Sequence, residues 1–197
     1  MQYELAYRLA RDLANDLAPA CERIEIAGGL RRRKPDVHDL ELVAIPKRLT
    51  MPVANLLGTD QVDYNPLDDY LADLVELGRL EKATRNGPRF KQFRVLPSGI
   101  FLDLFIVLAP AQWGVIKAIR TGPAHYSHWL VTRKDRGGAL PNYLRVKDGA
   151  LWPLYGGLVI ETPTEESFFE VLGIPMPDPV NRVPAWSSNG GGESDAV

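Results

Sequence analysis

The chain contains a single cysteine, Cys21, so it can form neither an intrachain disulfide nor a cysteine-based zinc cage, which fits a reducing compartment. Its plain reading is a small residue at a helix-strand junction. No apolar run approaches the roughly 20 residues that a membrane-spanning helix needs. The opening residues, with Glu4, Arg8, Arg11 and Asp12, lack the apolar centre of a signal peptide. There is no excess of one charge either: 23 Lys and Arg against 25 Asp and Glu leave a net charge of -2, so the basic character of many nucleic-acid-binding domains is missing. No internal repeat is found. What remains is globular material, 45% hydrophobic and 24% charged over 197 residues, enough for one sizeable core with a small satellite. A soluble, cytoplasmic, monomeric protein with no membrane partner is expected. The positive charge is nonetheless clustered, at Arg31 to Lys34, Lys47 and Arg48, Arg89 to Arg94, and Arg133 to Arg136.

Hydrophobic spacing predicts an amphipathic helix over residues 3–19, with Leu5, Leu9, Leu13 and Leu17 at four-residue intervals. Alternation then predicts a strand over 21–27, entering a Gly28-Gly29 turn, and a second strand over 40–45 stopped by Pro46. Residues 50–65 read as loop or weak helix, and 67–80 as a helix. Strands are predicted over 89–96 and 100–108. After Pro110 come two short helices, 111–120 and 124–133, a three-stranded meander over 144–146, 151–154 and 158–160, and a helix over 164–172 capped from Thr162. The change of pattern near residue 109 marks a domain boundary, with residues 1–109 on one side and residues 110–184 on the other. The Ser-, Asn-, Gly- and acid-rich residues 185–197 read as a disordered tail.

One constellation carries chemistry. Gly28-Gly29-Leu30-Arg31-Arg32 precedes Asp39-Leu40-Glu41, and a third acid, Asp103, stands inside the apolar run Ile100 to Ile106. On a strand, Asp39 and Glu41 point to the same side, and an acid from a second strand can complete the cluster. Three crowded carboxylates repel one another and call for a cation, and hard oxygen ligands suit Mg²⁺ or Mn²⁺. Glycines let backbone amides approach phosphate oxygens, and arginines neutralise them. A lone carboxylate in a run as apolar as 100–106 is costly to bury without a partner, which favours a functional role for Asp103. Trp113, Trp129 and Trp152 read as core residues rather than base-stacking platforms, and His125 and His128 as a polar helix face as readily as template or sugar contacts.

On these residues the chain resembles the nucleotidyltransferase superfamily in the form of the family X, polymerase beta-like DNA polymerases. Gly28 to Arg32 followed by Asp39 to Glu41 is similar to that family's Gly-Ser-x-Arg-Arg and Asp-x-Asp motifs, and Phe101-Leu102-Asp103 to the segment bearing its third acid. Gly114 to Gly122 resembles the stretch ending in its Thr-Gly-Ser nucleotide turn, and residues 144–182 its thumb. The resemblance implies an α+β fold: a nucleotidyltransferase catalytic palm over 1–109, with a mixed sheet flanked by helices, and a small C-terminal α/β thumb over 110–184. It lacks the lyase extension and looks like the reduced viral members, so a phage or viral origin is expected.

The same resemblance implies a DNA polymerase adding dNMP from a dNTP to the 3′-hydroxyl of a primer-template or gapped DNA, in gap filling or repair. Asp39, Glu41 and Asp103 would be catalytic and hold two Mg²⁺ or Mn²⁺ ions. Gly28, Gly29, Arg32, His38 (through its amide), Thr121 and Gly122 would bind the nucleotide. The sequence departs from the pattern where Gly29 replaces Ser, Glu41 replaces the second Asp and Pro123 replaces the Ser after Thr121-Gly122. Two alternatives stay open: a template-independent transferase acting on RNA, protein or a small molecule, and a non-catalytic nucleic-acid-binding module that retains the fold.

Overall fold

The computed structural model describes residues 1–55 and 58–183. The disordered tail expected over 185–197 lies outside them. Two compact units divide the chain, Met1–Ala109 and Pro110–Val197.

The first unit begins with helix α1 (Tyr3–Leu17), whose buried stripe is Ala6, Ala10, Leu13 and Leu17. The stripe is rotated from the predicted leucine row, since Leu5 is exposed and small alanines let the helix approach the sheet. A 3-10 turn leads to strand β1 (Cys21–Ile26), and burial pushes the Cys21 thiol up to about 11, with Lys47 countering part of the rise. The Gly28-Gly29 turn proves to be a one-turn helix, α2 (Gly28–Arg31), entered through Gly28 at φ +61. Strand β2 (Asp39–Pro46) follows.

The stretch expected as loop or weak helix is instead a hairpin, β3 (Leu49–Asn55) with β4 (Gly58–Tyr64), paired antiparallel. Pro52 obscured it. A two-stranded ribbon is all edge, and there a residue without an N–H is tolerated. Helix α3 (Pro66–Glu76), capped by the Asn65 side chain on the Leu67 amide, ends at left-handed Gly78. Leu80 therefore belongs to a strand that the leucine spacing concealed, β5 (Leu80–Asn86). Strands β6 (Phe90–Val95) and β7 (Phe101–Ile106) complete a five-stranded mixed sheet of order β1-β2-β7-β6-β5. β2 and β7 run parallel, and the other neighbours antiparallel. One face of the sheet carries Leu40, Leu42, Leu102 and Leu104, all fully buried in one cluster with residues of α1 and α3.

The second unit holds α4 (Trp113–Thr121), α5 (Ala124–Val131), the hairpin β8 (Leu144–Lys147) and β9 (Ala150–Pro153), and α6 (Glu165–Leu172). The expected third strand of the meander is only a single bridge, Leu151 to Ile160. α6 is capped two residues later than predicted: Thr164 and Ser167 form the capping box, while Thr162 is buried and donates its hydroxyl to the Ala111 carbonyl at 2.9 Å. The core gathers Val115, Ala118, Leu130, Leu151, Phe168 and Phe169.

Inside this unit lies a buried ion pair. Arg182 Nη1 is 2.6 Å from Glu165 Oε1, with side chains 0% and 4% exposed, and the same nitrogen donates to the Ala118 carbonyl at 3.4 Å. The guanidinium lies 5.4 Å from the Phe169 ring centroid. Burial also raises the Tyr126 hydroxyl to about 12, with Arg182 pulling it down and Glu165 pushing it up. Removing one partner of such a pair strands a charge in a low-dielectric interior. Glu165→Gln is therefore expected to destabilise this unit by about 3–5 kcal/mol, whereas Glu165→Met with Arg182→Met recovers most of the loss. All four tryptophans lie beyond residue 109, so urea titration followed by tryptophan emission reads the effect.

Candidate active site

The acids occupy the sheet face opposite the leucine cluster. Along β2 burial alternates, Asp39 and Glu41 half-buried between fully buried Leu40 and Leu42, and β7 repeats the pattern around Asp103. The parallel register pairs Asp39 with Phe101 and Glu41 with Asp103. Cross-strand partners point the same way, so all three carboxylate positions share one face, with Glu41 and Asp103 direct neighbours.

On the other side of Asp103, the antiparallel register of β6 supplies Gln92. Its amide nitrogen donates to Asp103 Oδ1 at 2.8 Å. Gln92 escaped the sequence reading because polar residues in strands are usually solvated. The available signal was its parity with Phe90 and Arg94 in a strand adjoining the acid-bearing one. Those two face Phe105 and Phe101, with ring centroids 5.0 Å apart for Phe90 and Phe105 and the Arg94 guanidinium 4.9 Å from the Phe101 centroid.

The glycine turn meets the acids through Glu41. The Ala27 amide donates to the Glu41 carbonyl at 2.9 Å, which fixes the end of β1 beside β2. A Cβ on Gly28 would stand 1.6 Å from Glu41 Oε2, so the carboxylate occupies the space that only glycine leaves. Within α2 the amides of Arg31 and Arg32 donate to the carbonyls of Ala27 and Gly28. The amides of Gly28, Gly29 and Leu30 open the turn, where helix geometry provides no internal acceptor. Arg31 and Arg32 are half-buried, and His38 is exposed.

The donor set is chemically suited to a divalent cation: three carboxylates on one face of adjacent strands. The side chains are turned elsewhere, however, Glu41 towards Gly28 and Asp103 towards Gln92, and among the described residues no three Asp, Glu, His or Cys groups converge into a metal-holding cluster.

Thr121 and Gly122 belong to the second unit. Thr121, at the end of α4, is fully buried, and Gly122 is closely covered, with Tyr126 and Ser127 side-chain atoms 2.7 and 3.0 Å from where a Cβ would stand. The Ser127 hydroxyl donates to the Ile119 carbonyl at 2.6 Å, tying α5 back to α4. His125 and His128 are exposed on α5, whereas Trp113 is buried.

No protein-family model matches the chain, and no curated protein matches it in sequence. Among solved structures it is similar to Leishmania infantum polymerase beta in a ternary P/T complex, with a TM-score of 0.67 and 17% identity, covering 93% of this chain and 77% of that one. The fold is thus the α+β, polymerase beta-like nucleotidyltransferase fold, a mixed sheet flanked by helices. Among the described residues no helix is long and apolar enough to cross a membrane.

The two glycines make different demands. Gly28→Ala meets both a left-handed backbone and the Glu41 carboxylate, and is expected to cost about 1–3 kcal/mol. Gly29 has no positive φ, and a Cβ there finds nothing closer than Lys34 Cδ at 3.7 Å. Gly29→Ala should shift stability by no more than about 0.5 kcal/mol. Urea unfolding followed by far-UV circular dichroism separates the two.

Proposed function

We propose that the chain is a nucleotidyltransferase and, within that class, a DNA polymerase that adds dNMP from a dNTP to a primer 3′-hydroxyl on primer-template or gapped DNA, in gap filling or repair. The observation that carries this reading is the β2/β7 register, which sets Glu41 beside Asp103 with Asp39 on the same face and Gly28 against Glu41. The fold shared with a polymerase captured in a ternary P/T complex supports DNA as the partner.

Asp39, Glu41 and Asp103 would hold two divalent cations, Mg²⁺ or Mn²⁺. When bound, these lower the pKa of the attacking hydroxyl and neutralise the charge that builds on the departing pyrophosphate. The chain's own groups do the rest. Asp103, oriented by Gln92, accepts the proton of the 3′-hydroxyl. Arg32 draws the triphosphate, and the amides of Gly28 and Gly29 meet its non-bridging oxygens. Gly29 contributes an amide and no hydroxyl, so the triphosphate is held by backbone and arginine. The amide of His38 completes the first unit's nucleotide-binding set on this reading, in a monomer; Thr121, fully buried, and Gly122, covered by Tyr126 and Ser127, are not assigned to it.

Primer extension on gapped and recessed DNA with dNTPs tests the proposal. Wild type extends in Mg²⁺ or Mn²⁺ and stops in EDTA. Asp103→Ala, which removes a cation ligand and the proton acceptor together, falls by about a thousandfold or more. The polymerase reading fails if wild type binds DNA yet extends nothing with either metal. If Asp103→Ala extends as well as wild type, the site is misassigned.

A further inference from the structure

The hairpin of the second unit has two unlike faces. Its turn, Asp148-Gly149 with φ +53 and +77, is the left-handed pair that a two-residue hairpin demands, and it fixes the register of β8 on β9. Leu144 and Leu151 point inward and are buried in the unit's core. Alternation sends Tyr143, just before β8, and Arg145 and Lys147 to the other face, where Trp152 is the cross-strand partner of Arg145. Tyr143 is 62% exposed, and both cations are exposed. Beside Tyr143 the ribbon ends in Tyr155, which is almost wholly exposed.

Among the described residues neither Arg145 nor Lys147 forms an ion pair, and Asp148, the acid of the turn, pairs with neither. The Trp152 indole N–H donates to the Lys147 carbonyl at 3.2 Å, which ties the ring to the ribbon. β8 is also an edge. Its sheet has two strands, and β9 turns its far side to Ile160, whose amide donates to the Leu151 carbonyl at 2.9 Å. Along an antiparallel ladder, hydrogen-bonded and non-bonded pairs alternate. The Leu154 amide donates to the Tyr143 carbonyl at 2.7 Å, so the main-chain groups of Tyr143, Arg145 and Lys147 face β9. Those of Val146, opposite Leu151, therefore point out along the open edge. Among the described residues nothing bonds to the Val146 amide or carbonyl.

We infer that β8 is a docking edge for an extended acidic segment of another protein, which adds to the hairpin as a third strand with acids at alternate positions. An added strand meets the Val146 N–H and C=O with its own backbone, and its alternate side chains lie beside Arg145 and Lys147. Those two cations stand about 6.8 Å apart along the strand, the spacing of acids two residues apart in a partner strand. Tyr143 and Trp152, of the residue types that anchor interfaces, flank them. A second copy of β8 is a poor occupant, because it would set arginine and lysine against their own kind. A nucleic-acid strand would use the cations and rings but has no main chain to meet Val146. Docking here involves none of the residues of the carboxylate face, and it stands whether or not the chain is a polymerase.

Fluorescence anisotropy of a fluorescein-labelled peptide of alternating Val and Glu, about eight residues long, titrated with the full chain, tests the docking. Wild type binds this peptide, and a peptide with Lys in place of Glu does not bind. Arg145→Ala with Lys147→Ala is expected to weaken binding by about tenfold or more. Val146→Pro removes only the edge N–H, at a position where an edge strand tolerates proline, and should weaken binding by about fivefold or more. Circular dichroism checks that each variant is folded. A second measurement leaves the protein untouched: N-methylation of one alternate set of peptide amides abolishes binding to wild type, and N-methylation of the other set leaves it intact. The docking is refuted if wild type does not bind the peptide, or if the two methylated sets behave alike. It is equally refuted if the Lys peptide binds as tightly as the Glu peptide. A dT oligomer that displaces the peptide, and whose own binding is lost in the double variant yet kept in Val146→Pro, also overturns it, since the face then holds phosphates and not a strand.

Discussion

The first unit depends on the pairing of β2 with β7, the one parallel pair in its five-stranded sheet. Parallel neighbours need a long crossover, and here it runs from Pro46 to Phe101 through a hairpin, a helix and two further strands. That excursion is what brings together acids sixty-two residues apart in sequence, Glu41 and Asp103. The leucines hold the register. Slipping one strand by a single residue would turn its acids into the cluster under α1 and α3 and expose two leucines that are now fully buried. Unpaired carboxylates in that cluster would be prohibitive, so the hydrophobic face fixes where the polar face puts its chemistry.

The second unit uses an opposite device. Where the first keeps its acids half-exposed on a sheet face, the second buries Glu165 and answers it with Arg182. Replacing such a pair by apolar side chains of similar volume often leaves a protein no less stable, so the pair is better understood as specifying an arrangement than as strengthening it. It ties the segment after α6 to the start of α6 and, through the Ala118 carbonyl, to α4. α4 is the helix that ends in Thr121, and the Ser127 hydroxyl then links it to α5.

Much of this was legible in the sequence where local signals agree with the fold. The acids of β2 and β7 interrupt apolar, strand-forming runs, and the helices α1 and α3 show their periodicity. The failures have specific physical causes. Pro52 conceals the β3/β4 hairpin because proline argues against a strand except at an edge. Leu80 continues a leucine spacing that Gly78 has already terminated. Leu5 fits the heptad-like row better than Ala6, yet Ala6 is buried, because close approach of α1 to the sheet favours a small side chain. Gln92 and the Glu165-Arg182 pair are products of register and tertiary contact. No window of the sequence contains them.

Glu41 shows how a departure from a motif can lean on a residue that keeps to it, Gly28. A glutamate at this position reaches one methylene further than an aspartate, and its carboxylate lies where a side chain on residue 28 would begin. A shorter acid there would fall back towards the strand and leave the space over Gly28 open. The absence of a side chain at residue 28 and the long acid at 41 are therefore one constraint, beside the Ala27 amide that donates to the Glu41 carbonyl. This makes the carboxylate a bridge between the acid face and the opening amides of α2.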